Sequence, residues 1–224
     1  MTEKLRIDFV SDIACPWCVV GLRSLQQALA NIGDAVQAEI HFQPFELNPN
    51  MAPEGENTTE HVTKKYGSSP ERSVAARQAI KQAGENLGFT FNYNPDSRIW
   101  NTFDAHRLLH WAEQEGRALQ LKEALFKFNF TDQRPTNDPA ALIDAAREAG
   151  LDPARAAQIV ESDEFTDEVR ALEAFWQQRG IHAVPSIIFN QHWLLQGAQP
   201  PEQFERAIRA IITGAVKPAP AAAS

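Results

Sequence analysis

The sequence is poor in cysteine, with only Cys15 and Cys18 among 224 residues. So few cysteines exclude the disulfide framework of a small secreted domain, which depends on several cross-links. In a reducing compartment the C-x-x-C spacing leaves two interpretations, a redox-active dithiol or half of a metal site. The motif Cys15-Pro16-Trp17-Cys18 is therefore the most specific chemical feature of the chain.

Long apolar runs and positive charge are also scarce. No stretch approaches the roughly 18 apolar residues of a membrane-spanning helix, and the N-terminus lacks the apolar segment of a signal peptide. The expected compartment is therefore the cytoplasm, with no membrane as a partner. A net charge of −8 also disfavours nucleic acid as a partner. The 43% hydrophobic content nevertheless supports a sizeable core.

The cysteine motif lies where a predicted strand ends and a predicted helix begins. Residues 5–10 alternate with a period of two, which is typical of a strand, and residues 19–29 are typical of a helix. Unpaired N–H groups at a helix start favour an anion, so we expect a thiolate at Cys15, the predicted nucleophile. Cys18 lies one turn further on the same helical face and is the predicted resolving thiol.

The remaining elements predict an α/β protein. A second strand over 38–45 completes a βαβ unit at the start of the predicted fold. Two further strands over 184–190 and 193–196 precede an amphipathic helix over 201–212. Between them, helix caps are predicted at Asn57, Ser69, Asp138 and Asp152. We predict a discontinuous thioredoxin-like domain (1–50 and 180–213), a helical insertion (56–179) and a disordered tail (214–224).

Six short segments resemble one known family in the correct order. They are Ser11–Cys18, Phe45–Pro49, Asn101–Leu108, Ala149–Asp152, Gly180–Ser186 and Gly197–Gln199. Together they resemble the DsbA-like thioredoxin-fold proteins, and within them the FrnE-like branch of cytoplasmic dithiol oxidoreductases. The resemblance covers residues 5–212 and implies a thioredoxin-like fold with a large all-α insertion.

The resemblance implies that Val184-Pro185 is a cis-proline loop facing the cysteines. Backbone groups beside such a proline can pair with an extended substrate, so Val184 and Pro185 are expected to bind substrate. Pro16 and Trp17, between the cysteines, are expected to contact it as well. An aromatic ring at the tip of the loop is expected to be partly exposed, which suits a peptide or a small thiol.

The sequence departs from the related enzymes at Phe9. Many thioredoxin-like enzymes place a buried carboxylate six residues before the first cysteine, where it moves the proton of the second cysteine. Phe9 occupies this position here, while Asp8 falls on the opposite strand face and Asp12 in the following loop. Water, Asp12 or a basic group from the insertion could take over proton transfer. A structural loop cap is the competing interpretation of Asp12.

Zinc binding is the competing interpretation of the two cysteines. A zinc site needs two further ligands, and His106 and His110 have a suitable i, i+4 spacing. They are distant in sequence from the motif, however, and Pro16-Trp17 and Val184-Pro185 suit redox chemistry better. We therefore predict no metal, and interpret both histidines as helix residues near the cleft or in solvent.

The sequence thus predicts a thiol–disulfide oxidoreductase, a reductase or isomerase acting on disulfides of proteins or small thiols. No cofactor is required beyond the Cys15–Cys18 pair, with glutathione or another small thiol as a candidate co-substrate. One alternative is a glutathione-dependent transferase or isomerase, because kappa-class glutathione transferases and 2-hydroxychromene-2-carboxylate isomerases share this fold. Those relatives typically carry Ser rather than Cys as the residue that activates the thiol, and they lack the second cysteine. Another alternative is a non-catalytic peptide-binding chaperone, and the expected assembly is a monomer or homodimer.

Overall fold

The computed structural model describes residues 2–216. The strands are β1 (Glu3–Ser11), β2 (Val36–Pro44), β3 (Glu56–Asn57), β4 (Arg98–Ile99), β5 (Ser186–Phe189) and β6 (Trp193–Gln196). The helices are α1 (Pro16–Ile32), α2 (Thr58–Tyr66), α3 (Pro70–Asn86), α4 (Phe103–Gln114), α5 (Ala118–Phe130), α6 (Pro139–Glu148), α7 (Pro153–Val160), α8 (Thr166–Gln178) and α9 (Pro201–Ile212). Of the predicted tail, positions 217–224 lie outside the described residues.

The larger sheet has the strand order β2-β1-β5-β6. β1 and β2 are parallel, with Phe9 paired with Phe42, and the crossover between them contains α1. β5 runs antiparallel to β1, and β6 antiparallel to β5. The predicted βαβ unit, the hairpin of β5 and β6 and the α/β class are therefore confirmed.

The predicted alternation of β1 is also confirmed. Leu5, Ile7 and Phe9 are buried in the main apolar cluster, to which α1 contributes. Val10 lies on the opposite face, in a second cluster that includes Trp176 of α8. Helices therefore contribute to the apolar clusters on both faces of β1, and the polar residues Asp8 and Ser11 of this strand are buried.

Asp8 is a polar residue on that second face. Its side chain is buried and accepts hydrogen bonds from Arg6 at 2.6 Å and from Gln43 at 2.8 Å. These partners satisfy the carboxylate where it lies. Because Phe9 faces the other side of the sheet, Asp8 does not replace the missing carboxylate at that position.

The chain between β2 and β5 is mainly helical, with one short strand pair, β3 with β4. The four predicted caps are confirmed, because the side chains of Asn57, Ser69, Asp138 and Asp152 each accept a hydrogen bond from a first-turn N–H. The main apolar cluster joins residues of this helical region to residues of the sheet. The domain boundaries stay a prediction.

No helix within residues 2–216 combines the length and apolar character needed to cross a membrane.

Candidate active site

Cys15 and Cys18 lie at the junction of β1 and α1. Cys15 is the N-cap of α1 and Pro16 is its first helical residue, a position where proline costs no hydrogen bond. The Cys15 N–H donates to Asp12 O at 3.3 Å, and the Cys18 N–H donates to Cys15 O at 3.1 Å. The predicted strand-to-helix placement is therefore confirmed, with both cysteines present as free thiols.

The motif residues differ in their access to solvent. Cys15 is 5% exposed and Cys18 is 0% exposed, while Trp17 between them is 40% exposed. The partial exposure predicted for Trp17 is therefore confirmed. The greater exposure of Cys15 fits an outer attacking cysteine, and the full burial of Cys18 fits an inner resolving one. These roles stay predictions.

The loop before β5 faces the motif. The Val184–Pro185 peptide bond is cis, as predicted, and the Cys15 Sγ lies 3.8 Å from Val184 O. Pro185 is buried against Gly21 of α1, where an added Cβ would meet Pro185 Cγ at 3.0 Å. The absence of a side chain at position 21 therefore lets this loop approach the cysteine helix closely.

The Cys18 thiol is held in its neutral form. Burial is the main cause of a pKa raised well above the usual value for a thiol, and the adjacent Cys15 adds to the effect. A backbone hydrogen bond from Asp12 and the charge of Lys122 act in the opposite direction. Resolution of a mixed disulfide by Cys18 would therefore need a group that removes its proton.

Asp12 is buried beneath the motif and is saturated with hydrogen bonds. Its Oδ2 accepts from the Leu47 N–H at 2.7 Å, and its Oδ1 accepts from the Thr102 hydroxyl at 2.7 Å. His106 Nε2 lies 3.5 Å from Oδ1. Burial opposes the charge, but the contacts with His106, Leu47 and Thr102 outweigh it and lower the pKa of the Asp12 carboxyl. This geometry favours the loop-cap interpretation of Asp12 over a proton relay.

Lys122 of α5 is a charged residue that sequence reasoning did not single out. It is 1% exposed, and its Nζ lies 5.1 Å and 5.8 Å from the ring centroids of Phe126 and Phe42. Burial lowers its pKa to about 8, although Cys18 and other acidic groups nearby limit the shift. One sequence signal was present, because Lys122 falls four residues before Phe126, on the buried face of the helix.

Two tyrosines from the helical region also lie near Cys15. The pKa of Tyr66 and the pKa of Tyr93 are both raised, first by partial loss of hydration and then by the proximity of Cys15. Tyr66 is 63% exposed, so an aromatic ring is available to solvent on this side of the motif. Neither residue carries a motif that would have identified it, because its position depends on how the helices pack.

The histidines of the zinc alternative contact groups other than the thiols. His106 Nε2 is 3.1 Å from Phe45 O, and the ring of His110 packs against Phe165. Within residues 2–216, no three His, Cys, Asp or Glu side chains are grouped in a way that could hold a metal ion.

Comparison with known proteins agrees with the fold. Residues 6–209 match the family described as the DSBA-like thioredoxin domain. A probable DsbA oxidoreductase from Streptomyces coelicolor is 33% identical, with a TM-score of 0.88 over 98% of this chain and 94% of that one. The uncharacterized protein YwbO of Bacillus subtilis is 26% identical over 209 residues, covering 93% of this chain and 96% of its own.

A more distant structure shares the fold at low identity. The cytosolic disulfide reductase DsbM from Pseudomonas aeruginosa, solved with GSH, is 12% identical, with a TM-score of 0.61 over 93% of this chain and 98% of that one. The family match, by contrast, extends over most of the chain. The chain therefore belongs to the DSBA-like thioredoxin domain family, a family of thioredoxin-fold oxidoreductases.

Proposed function

We propose that this protein is a thiol–disulfide oxidoreductase whose reacting groups are Cys15 and Cys18. The observation that carries the proposal is the position of the Cys15 thiol, at the start of α1 and 3.8 Å from Val184 O. A helix start favours the thiolate, which is the form of cysteine that attacks disulfides. Cys18, one turn further along, supplies the second thiol that completes exchange within the motif.

The reaction proceeds in two displacement steps. The Cys15 thiolate attacks one sulfur of a substrate disulfide, the substrate S–S bond breaks, and one substrate thiolate leaves and takes up a proton. Cys18 then loses its proton and attacks the Cys15 sulfur of the mixed disulfide. The second substrate thiolate leaves, so two electrons have passed to the substrate and the Cys15–Cys18 disulfide has formed.

The surroundings of Cys15 favour a disulfide carried by a peptide or by a small thiol. Trp17 and Tyr66 offer exposed aromatic surface near the thiol, and Val184 offers a backbone edge for an extended chain. The GSH-bound DsbM structure, which shares the fold, supports glutathione as a co-substrate here. Pro16 and Pro185 complete this proposed binding surface on either side of Cys15.

The direction of exchange depends on the compartment. In a reducing cytoplasm, which the sequence favours, the pair would be kept reduced and would act as a reductase or isomerase. The FrnE-like branch and a monomeric or homodimeric state stay predictions.

Two single substitutions test the proposed function. Cys15→Ser should abolish reduction of a peptide disulfide, because the attacking sulfur is gone. Cys18→Ser should instead accumulate a mixed disulfide on Cys15, visible as one substrate thiol added to the intact protein mass. Disulfide reduction that survives in Cys15→Ser would refute the proposal, whereas glutathione conjugation without disulfide reduction would indicate the transferase alternative.

A further inference from the structure

The strand β1 offers the inner thiol no acid–base group at the position six residues before Cys15, and Asp8 of the same strand faces the other side of the sheet. Phe9 occupies the position six residues before Cys15, and Phe42 is its partner on β2, with ring centroids 5.9 Å apart. Neither ring can accept a proton. Cys18 is 0% exposed, so its proton cannot pass directly to bulk water. Within the proposed function, some other group must therefore act on Cys18.

Lys122 comes from the helical region, and its Nζ lies 5.8 Å from the centroid of the Phe42 ring. Its ammonium faces Phe42 and Phe126 rather than a carboxylate partner in the described part of the chain. A cation at this distance from two rings is only partly compensated for its lost hydration. A buried lysine in such surroundings is readily deprotonated, and a neutral amine is a proton acceptor.

A cleft connects Lys122 to the surface. The cleft has a volume of about 180 Å³. Lys122, Phe42 and His106 form part of its wall, and His41 and Glu113 line the part nearer to solvent, with side chains 28% and 34% exposed. The amine is therefore shielded from bulk water but lies on a path by which a proton can reach it.

The inner end of the cleft adjoins the cysteine motif through His106 and Asp12. His106 Nε2 lies 3.5 Å from Asp12 Oδ1. The backbone of Asp12 in turn accepts the Cys15 N–H, and it contributes a hydrogen bond to the Cys18 thiol. Lys122 also lies close enough to Asp12, Cys15 and Cys18 for their charges to favour its ammonium form.

We propose that Lys122 accepts the proton of Cys18 when the mixed disulfide is resolved, and that the cleft exchanges this proton with solvent. The neutral amine becomes an ammonium as the Cys18 thiolate forms. That thiolate attacks the Cys15 sulfur, and the substrate thiolate leaves with the electron pair of the broken S–S bond. The ammonium then loses its proton to the departing thiolate or to solvent, which restores the amine.

The charges around Lys122 set the pH at which it can act. Cys15, Cys18 and Asp12 favour its ammonium form, while burial favours the amine and is the larger effect. The other charged or titratable groups lining the cleft are Arg6, His41, His106, His110 and Glu113. With its pKa lowered to about 8, about a tenth of Lys122 is neutral at pH 7 and about half at pH 8, so proton acceptance is available in this range.

This proposal rests on the proposed function, and the two can be tested separately in one experiment. The reduced protein is mixed rapidly with dithiobis(nitrobenzoate), which releases one coloured thiol when Cys15 attacks and a second when Cys18 resolves the mixed disulfide. Lys122→Met should slow the second phase by about 100-fold near neutral pH, the loss typical of a missing general base. The first phase should change far less, because Cys15 does not depend on a proton acceptor.

The pH profile separates a proton acceptor from a structural residue. In the wild-type protein the second phase should level off above about pH 8, where Lys122 is neutral. In Lys122→Met it should keep rising with hydroxide concentration. Lys127→Met is the matched control, since Lys127 lies on the same helix, is 46% exposed and pairs with Glu148; its profile should match that of the wild type.

A spectroscopic measurement on the unsubstituted protein covers the case in which Lys122→Met does not fold. The ¹⁵N resonance of the Lys122 side chain should titrate near pH 8, and its midpoint should shift when the Cys15–Cys18 disulfide forms. An identical titration in both redox states would overturn the proposal, as would a normal second phase in a folded Lys122→Met. Absence of both release phases in the wild type would instead overturn the proposed function.

Discussion

The Sγ of Cys15 lies 3.8 Å from the carbonyl oxygen of Val184, although 169 positions separate the two residues in the chain. The start of the cysteine helix and the start of β5 therefore meet at one point. A substrate disulfide that reaches Cys15 would also reach the backbone of Val184, so exchange chemistry and substrate pairing can occur together.

The contact between Gly21 and Pro185 should maintain this arrangement. In Gly21→Ala the new Cβ would meet Pro185 Cγ at 3.0 Å, so the loop has to shift. Overpacking of this kind costs about 1–3 kcal/mol, partly offset by the roughly 1 kcal/mol by which alanine favours a helix over glycine. We expect slower disulfide reduction with a small loss of stability, measured by steady-state assay and urea unfolding.

Gln27→Ala is the control for that substitution, because Gln27 is exposed on the same helix. It should leave both rate and stability near the wild-type values. Full activity in Gly21→Ala would show that the distance between Pro185 and α1 has no influence on the reaction.

Asp12 should contribute to stability more than to proton transfer. Asp12→Asn removes the charge that Leu47, Thr102 and His106 contact, and we expect a loss of about 2 kcal/mol in the free energy of unfolding at neutral pH. Urea unfolding measures the loss. Asp34→Asn, at an exposed position, is the control and should be nearly neutral.

The contribution of Asp12 to the free energy of unfolding should depend on pH. Because the folded protein lowers the pKa of Asp12, its contribution is complete above the unfolded pKa of about 3.9 and is lost as pH falls through the lower folded value. The difference between wild type and Asp12→Asn should therefore shrink in acid. A difference that stays constant down to the acid limit would contradict an ionised Asp12.

Trp17 should affect substrate use and not the fold. The side chain is 40% exposed, so Trp17→Ala should change the free energy of unfolding by less than about 0.5 kcal/mol. Loss of an aromatic contact worth about 0.5–1.5 kcal/mol should reduce kcat/KM for a peptide disulfide by about 2- to 10-fold. Phe175→Ala is matched to it, since Phe175 is 42% exposed on α8, and should leave kcat/KM unchanged.

Local sequence patterns predicted most of the fold but only part of the candidate site. The alternation of β1, the cap at Asp138 and the amphipathic α9 depend on neighbours a few residues apart, and the structure has all three. The cis form of Val184–Pro185 was expected only from the family resemblance. The environment of Asp12 depends on Leu47 and Thr102, 35 and 90 positions away, which no local pattern encodes.

Lys122 shows most clearly how little of the candidate site local sequence patterns can predict. Helical spacing placed it on an apolar face, but a lysine there could equally extend its ammonium past that face to water. Only the packing of α5 against β2, which brings Phe42 and the cleft to its side chain, makes it a candidate proton acceptor for Cys18.

The central claim, thiol–disulfide exchange at Cys15 and Cys18, is tested most directly by equilibrating the protein in mixtures of reduced and oxidised glutathione. The fraction of protein with a Cys15–Cys18 disulfide is measured by thiol alkylation and mass, and metal content is measured on the same sample. We predict a single two-electron transition with a defined reduction potential and no stoichiometric metal. Stoichiometric zinc, or thiols that stay reduced across the whole range of glutathione ratios, would contradict the claim.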